Sequence, residues 1–281
     1  MHLARYLNEK NEPAIGEVRG ETLIAMAPIA TLEQIFADDD PAGFAHSLST
    51  GESIRLDTVS LLPPIEEQEV WAAGVTYKRS QTARMEESAA AASCYDRVYE
   101  SPRPELFLKA TPHRVRGTGQ DLFIRSDSKW NVPEPEIALV LNARLDLVCF
   151  TIGNDMSSRD IEGDNPLYLP QAKVYDACCG LGPWITLAAA MPERAAIEVD
   201  LSIVRAGTTV FEGHTTGDQM ARTFADLIEY LGRDNSFPHG VILLTGTGIV
   251  PASDFTLEVG DEIRIRITSI GTLVNYVALR D

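Results

Sequence analysis

Two apolar runs, residues 137–141 and 147–152, constrain this chain more than any other feature of its sequence. Neither carries a charged side chain, so each reads as a strand buried on both faces. Only Asn142 to Asp146 lie between them, and a connection that short suits a hairpin. The open end of that hairpin is acidic. Glu134 and Glu136 precede the first run, and Asp155 follows the second. Pro135 pushes Glu134 into an extended conformation, and residues two apart in an extended chain project to one side. Glu134 and Glu136 therefore face together, and the hairpin returns Asp155 towards them. Like charges at the mouth of a buried strand need compensation, because desolvated unpaired charge is expensive. A divalent cation is the simplest compensation, and an all-oxygen donor set suits Mg2+, Mn2+ or Ca2+ better than zinc. On these residues alone a plainer reading stays open: two glutamates on a solvated edge paired with lysines, and an aspartate that caps its own turn.

The rest of the chain can build a fold around such a hairpin. Its 281 residues are 44% apolar and 23% charged, an ordinary globular balance for one or two domains. Residues 14–18 and 22–26 read as short strands, Thr31-Leu32-Glu33-Gln34 as a capping box, and Asp40-Pro41 as a second helix start. The paired prolines in residues 61–65 suggest a linker, dividing a small N-terminal α+β domain, 1–65, from a larger domain, 66–281. In the larger part, Ile197, Val199, Leu201 and Ile203 alternate with polar residues, as do Ile263, Ile265 and Ile267, which marks half-buried strands. Two helices are expected, over 79–95 and over 218–231 with Gly232 as its stop. Strands dominate, so the expected class is α+β, predominantly β.

The net charge of −17, from 41 acidic and 24 basic residues, repels polyanions and excludes nucleic acid as a natural partner. It also means that an anionic small substrate needs a local positive site, which a bound metal and one or two lysines would supply. No apolar run approaches the length of a membrane span, and no secretory signal is visible, so no membrane partner is expected. Four cysteines without a C-x-x-C pair do not form a disulfide framework, which points to reduced thiols and the cytoplasm.

Beyond these readings, an ordered set of motifs resembles the fumarylacetoacetate hydrolase superfamily. It comprises Gly74-Val75-Thr76-Tyr77, Pro104-Glu105-Leu106-Phe107-Leu108-Lys109, the Glu134 and Glu136 pair, Asn154-Asp155-Met156-Ser157-Ser158-Arg159-Asp160, Gly182-Pro183, Thr245-Gly246-Thr247 and Gly260-Asp261. The resemblance covers about residue 70 to the C-terminus. It implies the mixed β-sandwich roll of that superfamily's C-terminal type, a magnesium-type ion on Glu134, Glu136 and Asp155, and a homodimer or homotetramer. Arg103-Pro104-Glu105, Lys109-Ala110-Thr111-Pro112 and the stretch from Asn165 to Lys173 are similar, more narrowly, to the superfamily's dehydratases of 2-keto-3-deoxy sugar acids.

That likeness implies a small 2-oxo acid substrate, dehydrated through an enolate held at the metal. Lys173 is the main acid/base candidate and Glu105 the second. Lys109, Gly246, Thr247, Thr76 and Tyr77 are the expected substrate contacts, and Arg159 is expected to pair with Asp155 or Asp160 behind the metal ligands. Phe107, Tyr168 and Leu169 are further candidates for the pocket wall. Superfamily hydrolases carry a histidine in G-x-N-Y-x-x-H, where this chain has Ser80, and serine cannot act as that base near neutral pH. An acylpyruvate-type carbon–carbon hydrolase or an oxaloacetate decarboxylase is therefore the second reading. A non-catalytic protein that binds a metal and a dicarboxylate is the third.

Overall fold

The computed structural model describes residues 1–78 and 97–280. The helix expected over 79–95, with Ser80, lies outside the described residues. The N-terminal block comprises strands β1 (His2–Leu7), β2 (Pro13–Arg19) and β3 (Thr22–Met26), helices α1 (Leu32–Ala37) and α2 (Pro41–Ser47), then β4 (Ser49–Arg55) and β5 (Leu61–Leu62). Both helix starts follow from their caps. The Thr31 side chain accepts from the Gln34 N–H, and Asp40 accepts from Gly43 ahead of Pro41. The stretch expected as a linker is partly strand, because β5 pairs with β1. β1 also pairs with a strand from the middle of the chain, through His2 to Thr186 and Leu3 to Ile185. The first 65 residues thus extend the main sheet.

The remaining strands are β6 (Glu69–Gly74), β7 (Glu105–Ala110), β8 (Val115–Arg116), β9 (Asp121–Ile124), β10 (Asn131–Val132), β11 (Pro135–Leu141), β12 (Leu147–Asp155) and β13 (Ser157–Ser158). Helices α3 (Arg159–Asp164) and α4 (Leu169–Lys173) follow, then β14 (Cys179–Leu187), β15 (Glu198–Arg205), β16 (Thr208–Thr216), α5 (Phe224–Gly232), β17 (Val241–Leu244), β18 (Glu262–Ile267) and β19 (Gly271–Leu279). The large sheet runs β4-β3-β2-β1-β14-β12-β11-β17-β6-β7, with β5 and β8 attached at its side. A five-stranded sheet, β16-β15-β18-β19-β9, packs against it. The chain is mostly β, in mixed sheets, as its strand patterns predict.

β11 explains why the hairpin is apolar on both faces. Ile137, Leu139 and Leu141 pack towards Val199, Leu201, Ile263 and Ile265 of the smaller sheet. Ala138 and Val140 face the other way, in a second core with Leu32, Ile35 and Phe36 of α1 and Leu181 of β14. Each fully buried side chain of this size contributes about 1.5–3 kcal/mol. Asn142 closes the turn by accepting from the backbone N–H groups of Arg144 and Asp146.

The helix expected over 218–231 starts later, at Phe224. Met220 bridges to Tyr77 in strand fashion, and the Ala221 N–H donates to the Thr76 carbonyl at 2.8 Å. Those contacts commit the backbone to an extended path, and the helix begins only where Thr223 and Asp226 form a reciprocal capping box. Thr223→Ala is expected to cost about 1 kcal/mol. A lower denaturant midpoint at unchanged slope would report it, and an unchanged midpoint would remove the cap from this account.

Candidate metal centre

The hairpin delivers its three carboxylates to one point. β11 and β12 pair antiparallel, with Glu136 opposite Gly153 and Pro135 opposite Asn154. The Asp155 N–H donates to the Glu134 carbonyl at 3.0 Å, which carries the pairing one step past the strand. Carboxylate oxygens of Glu134, Glu136 and Asp155 all lie within 4.8 Å of one another, and all three residues are buried. Gly153 is needed opposite Glu136, since a Cβ there would run into the Leu244 side chain.

Cations from elsewhere in the chain meet this cluster. Lys173, at the end of α4, donates from Nζ to Glu134 Oε2 and Asp155 Oδ2, both at 2.9 Å, and to Ser157 Oγ at 2.5 Å. Arg159, at the start of α3, donates to Glu134 Oε1 at 2.9 Å. The Lys109 ammonium lies 2.6 Å from Asp155 Oδ1. It also donates to the carbonyls of Met156 and Lys173. Burial is the largest influence and opposes its charge, but Asp155 together with the neighbouring Cys178 and Cys179 outweighs burial and holds the ammonium above its ordinary range.

Glu136 has the least compensation. Burial, then repulsion from Asp155 and Glu134, pushes its carboxyl well above the ordinary range, against the pull of Lys173 and the Gly246 N–H. The residues fit a hard divalent cation. They offer three converging carboxylates and only oxygen donors. With Glu105 and Glu162 the triad makes five carboxylates, which face the three cations Lys109, Arg159 and Lys173 among the described residues.

A cavity opens on the cluster. Glu134, Asp155 and Lys173 line it together with Glu105, Phe107, Arg159, Glu162, Gly246, Thr247 and the segment Ala73 to Val75. Glu105 comes from the start of β7, where pairing with Gly74 brings its carboxylate over a position that a side chain would otherwise fill.

Several expected contacts lie elsewhere. Lys109 is fully buried behind Asp155 and does not line the cavity, because its ammonium is spent on two carbonyls and a carboxylate. Thr76 is fully buried, and its hydroxyl donates to the Thr245 carbonyl at 2.6 Å, bracing the turn rather than facing the cavity. Tyr77 lies in the core between the sheets, where burial raises its phenol well above the ordinary range. The Gly246 N–H donates to Glu136 Oε2, so in this arrangement it supports a carboxylate of the protein. The Gly246 backbone has φ of +89°, and a Cβ there would strike the Thr76 hydroxyl. The expected pairing of Arg159 gives way to Glu134, while Asp160 accepts from the Ser128 hydroxyl and the Lys129 N–H. Tyr168 and Leu169 are not among the lining residues, whereas Phe107 is, 5.8 Å from the Lys173 ammonium.

Two residues were missed. Ser157 holds Lys173, and nothing distinguishes it in sequence from neighbouring Ser158. Glu162 lines the cavity three residues after Arg159, a spacing that places both on one helix face.

Comparison with known proteins agrees with this geometry. A probable 2-keto-3-deoxyxylonate dehydratase of Haloferax volcanii is 45% identical over 252 residues, covering 90% of this chain and 86% of the relative. A 2-dehydro-3-deoxy-D-arabinonate dehydratase of Saccharolobus solfataricus is 41% identical over 232 residues, covering 82% of this chain and 78% of the relative. The solved structure of a 2-keto-3-deoxy-D-arabinonate dehydratase, complexed with magnesium and 2,5-dioxopentanoate, matches with a TM-score of 0.86 at 33% identity. That match covers 100% of this chain and 99% of the other. Residues 69–278 match the family described as fumarylacetoacetate (FAA) hydrolase C-terminal. That span takes in the hairpin, the cavity and every cation that meets them, and the chain belongs to the fumarylacetoacetate hydrolase C-terminal family.

Proposed function

We propose that this chain is a magnesium-dependent dehydratase of a 2-keto-3-deoxy pentonate, converting 2-keto-3-deoxy-D-arabinonate or a close stereoisomer into 2,5-dioxopentanoate and water. One observation carries the reading. Two members of a buried carboxylate triad, Glu134 and Asp155, line one cavity with an ammonium, a guanidinium and two further carboxylates, in a chain 45% and 41% identical to dehydratases of such acids. Glu134, Glu136 and Asp155 would hold the ion, which when bound supplies Lewis-acid polarisation of the 2-oxo group and acidifies carbon 3.

The chain's own groups then move the protons. Lys173, ion-paired with Glu134 and Asp155, enters as the acid, and Glu105 enters as the base. Glu105 takes a proton from carbon 3, the bond from carbon 4 to its hydroxyl breaks, and the departing hydroxyl takes a proton from Lys173 as water. A proton then passes from carbon 5 to carbon 3, and the resulting enol ketonises at carbon 4 to give the aldehyde. Lys109 and Arg159 keep Asp155 and Glu134 in place.

Mass spectrometry tests the reaction. With magnesium and 2-keto-3-deoxy-D-arabinonate, one product lighter by one water is expected, carrying solvent deuterium at carbons 3 and 4 when the reaction runs in deuterium oxide. Two fragments would instead mark a carbon–carbon hydrolase. Assembly as a homodimer or homotetramer belongs to the same reading and rests on the family resemblance, and light scattering would test it. A cytoplasmic setting is supported by the buried free thiols Cys149, Cys178 and Cys179. No helix among the described residues is long and apolar enough to cross a membrane.

A further inference from the structure

We infer that Asn131 is a positioning residue for the ion site, which clamps the hairpin beyond its carboxylates and so sets how far apart they stand. The inference rests on the proposed role of Glu134, Glu136 and Asp155 and names what holds them in place. Within the large sheet, the pairing of β11 with β12 ends at Pro135 and Asn154. The two chains nonetheless stay together beyond it. β10 and β13 join Val132 to Ser157 and Asn131 to Ser158, antiparallel. One step further, the Arg159 N–H donates to the Trp130 carbonyl at 2.7 Å. These pairs continue the register of Pro135 with Asn154, with no residue gained or lost on either side. Glu134 and Asp155 therefore sit within one long hairpin, braced on both sides, and not at its free mouth.

Asn131 ties the outer ladder to itself and to the rest of the chain. Its side-chain carbonyl accepts from the Ser158 hydroxyl at 2.9 Å, and both residues are buried. Its backbone N–H donates to the Thr256 hydroxyl, and its backbone carbonyl accepts from the Leu257 N–H, both at 2.9 Å. The clamped segment also carries Ser157, which holds Lys173, and Arg159, which holds Glu134. Converging carboxylates repel one another, and the ends of short ladders open readily unless something fastens them. The Asn131 amide is that fastening. Without it the strand ends can part, and the carboxylates part with them. Groups that orient metal ligands from behind typically carry a factor of about 10–100 in metal affinity.

Calorimetric titration of magnesium into the whole protein, without substrate and well below its melting temperature, tests this. Asn131→Ala is expected to weaken magnesium binding by about tenfold. Ser158→Ala, which removes only the donor, is expected to act in the same direction and by a similar factor. The double variant is expected to lose less than the product of the two single effects, because both substitutions break one bond. A weakening of less than about fivefold in Asn131→Ala overturns the inference, whatever happens to the melting temperature of the metal-free protein, since a merely structural role moves only that temperature. A double variant that loses the full product overturns it too. If Asn131→Ala does not fold, Ser158→Ala decides alone by the same criterion. A wild type that binds no magnesium would instead overturn the assignment of the ion to these carboxylates, and the inference with it.

Discussion

Glu136→Gln is expected to lower magnesium-dependent turnover by about a thousandfold or more, while the metal-free variant melts at or above the wild-type temperature. Lewis-acid polarisation is worth several kcal/mol, and each ~1.4 kcal/mol is a factor of ten in rate. The stability arm follows from the position of Glu136. Burial and the charges of Asp155 and Glu134 hold its carboxyl well above the ordinary range, so ionising it opposes folding. Glutamine removes one of three like charges, and its amide oxygen can still accept from the Gly246 N–H. Magnesium should raise the melting temperature of the wild type, as any ligand of the native state does, and should leave that of the variant nearly unchanged. Thermal melts with and without magnesium, beside a turnover assay, check both arms. Wild-type turnover, or an undiminished magnesium shift, would sink the assignment of Glu136 to the ion.

Lys173→Met is expected to separate chemistry from ion binding. Turnover should fall by about 10²–10⁴-fold, the usual contribution of a general acid or base, and magnesium should still bind. Lys173 also bridges Glu134 and Asp155 while nearly fully buried. Removing one partner of a buried ion pair typically costs about 3–5 kcal/mol. The metal-free variant should therefore melt well below the wild type, and magnesium should restore more stability to it than to the wild type, since a cation on the triad takes over the compensation. Wild-type rates in this variant would remove Lys173 from the proton transfers.

How far the sequence reveals this site depends on which residues act within one local element. Glu134, Glu136 and Asp155 were legible because a hairpin and the strand period of two fix them together, and both rules act over a few residues. The expected helix over 218–231 is interrupted at 220–223, between a 3-10 turn ending at Gln219 and the α-helix from Phe224, because the strand-like contact of Met220 with Tyr77 comes from far along the chain. Lys109 shows the same limit. Strand alternation places it on the side of Glu105 and Phe107, but not how deep it lies, and depth decides between touching substrate and bracing Asp155. Arg159 offered two acidic residues nearby in sequence, and the structure pairs it with a third, Glu134, from before the hairpin.

The hairpin has one more consequence, for inheritance. All three carboxylates that converge lie within a single stretch from Glu134 to Asp155, whereas Glu105 and Lys173 come from β7 and α4. On the proposed roles, ion holding and bond choice are written in separate segments of the gene. Substitutions in the second set could then redirect which bond breaks without touching the first.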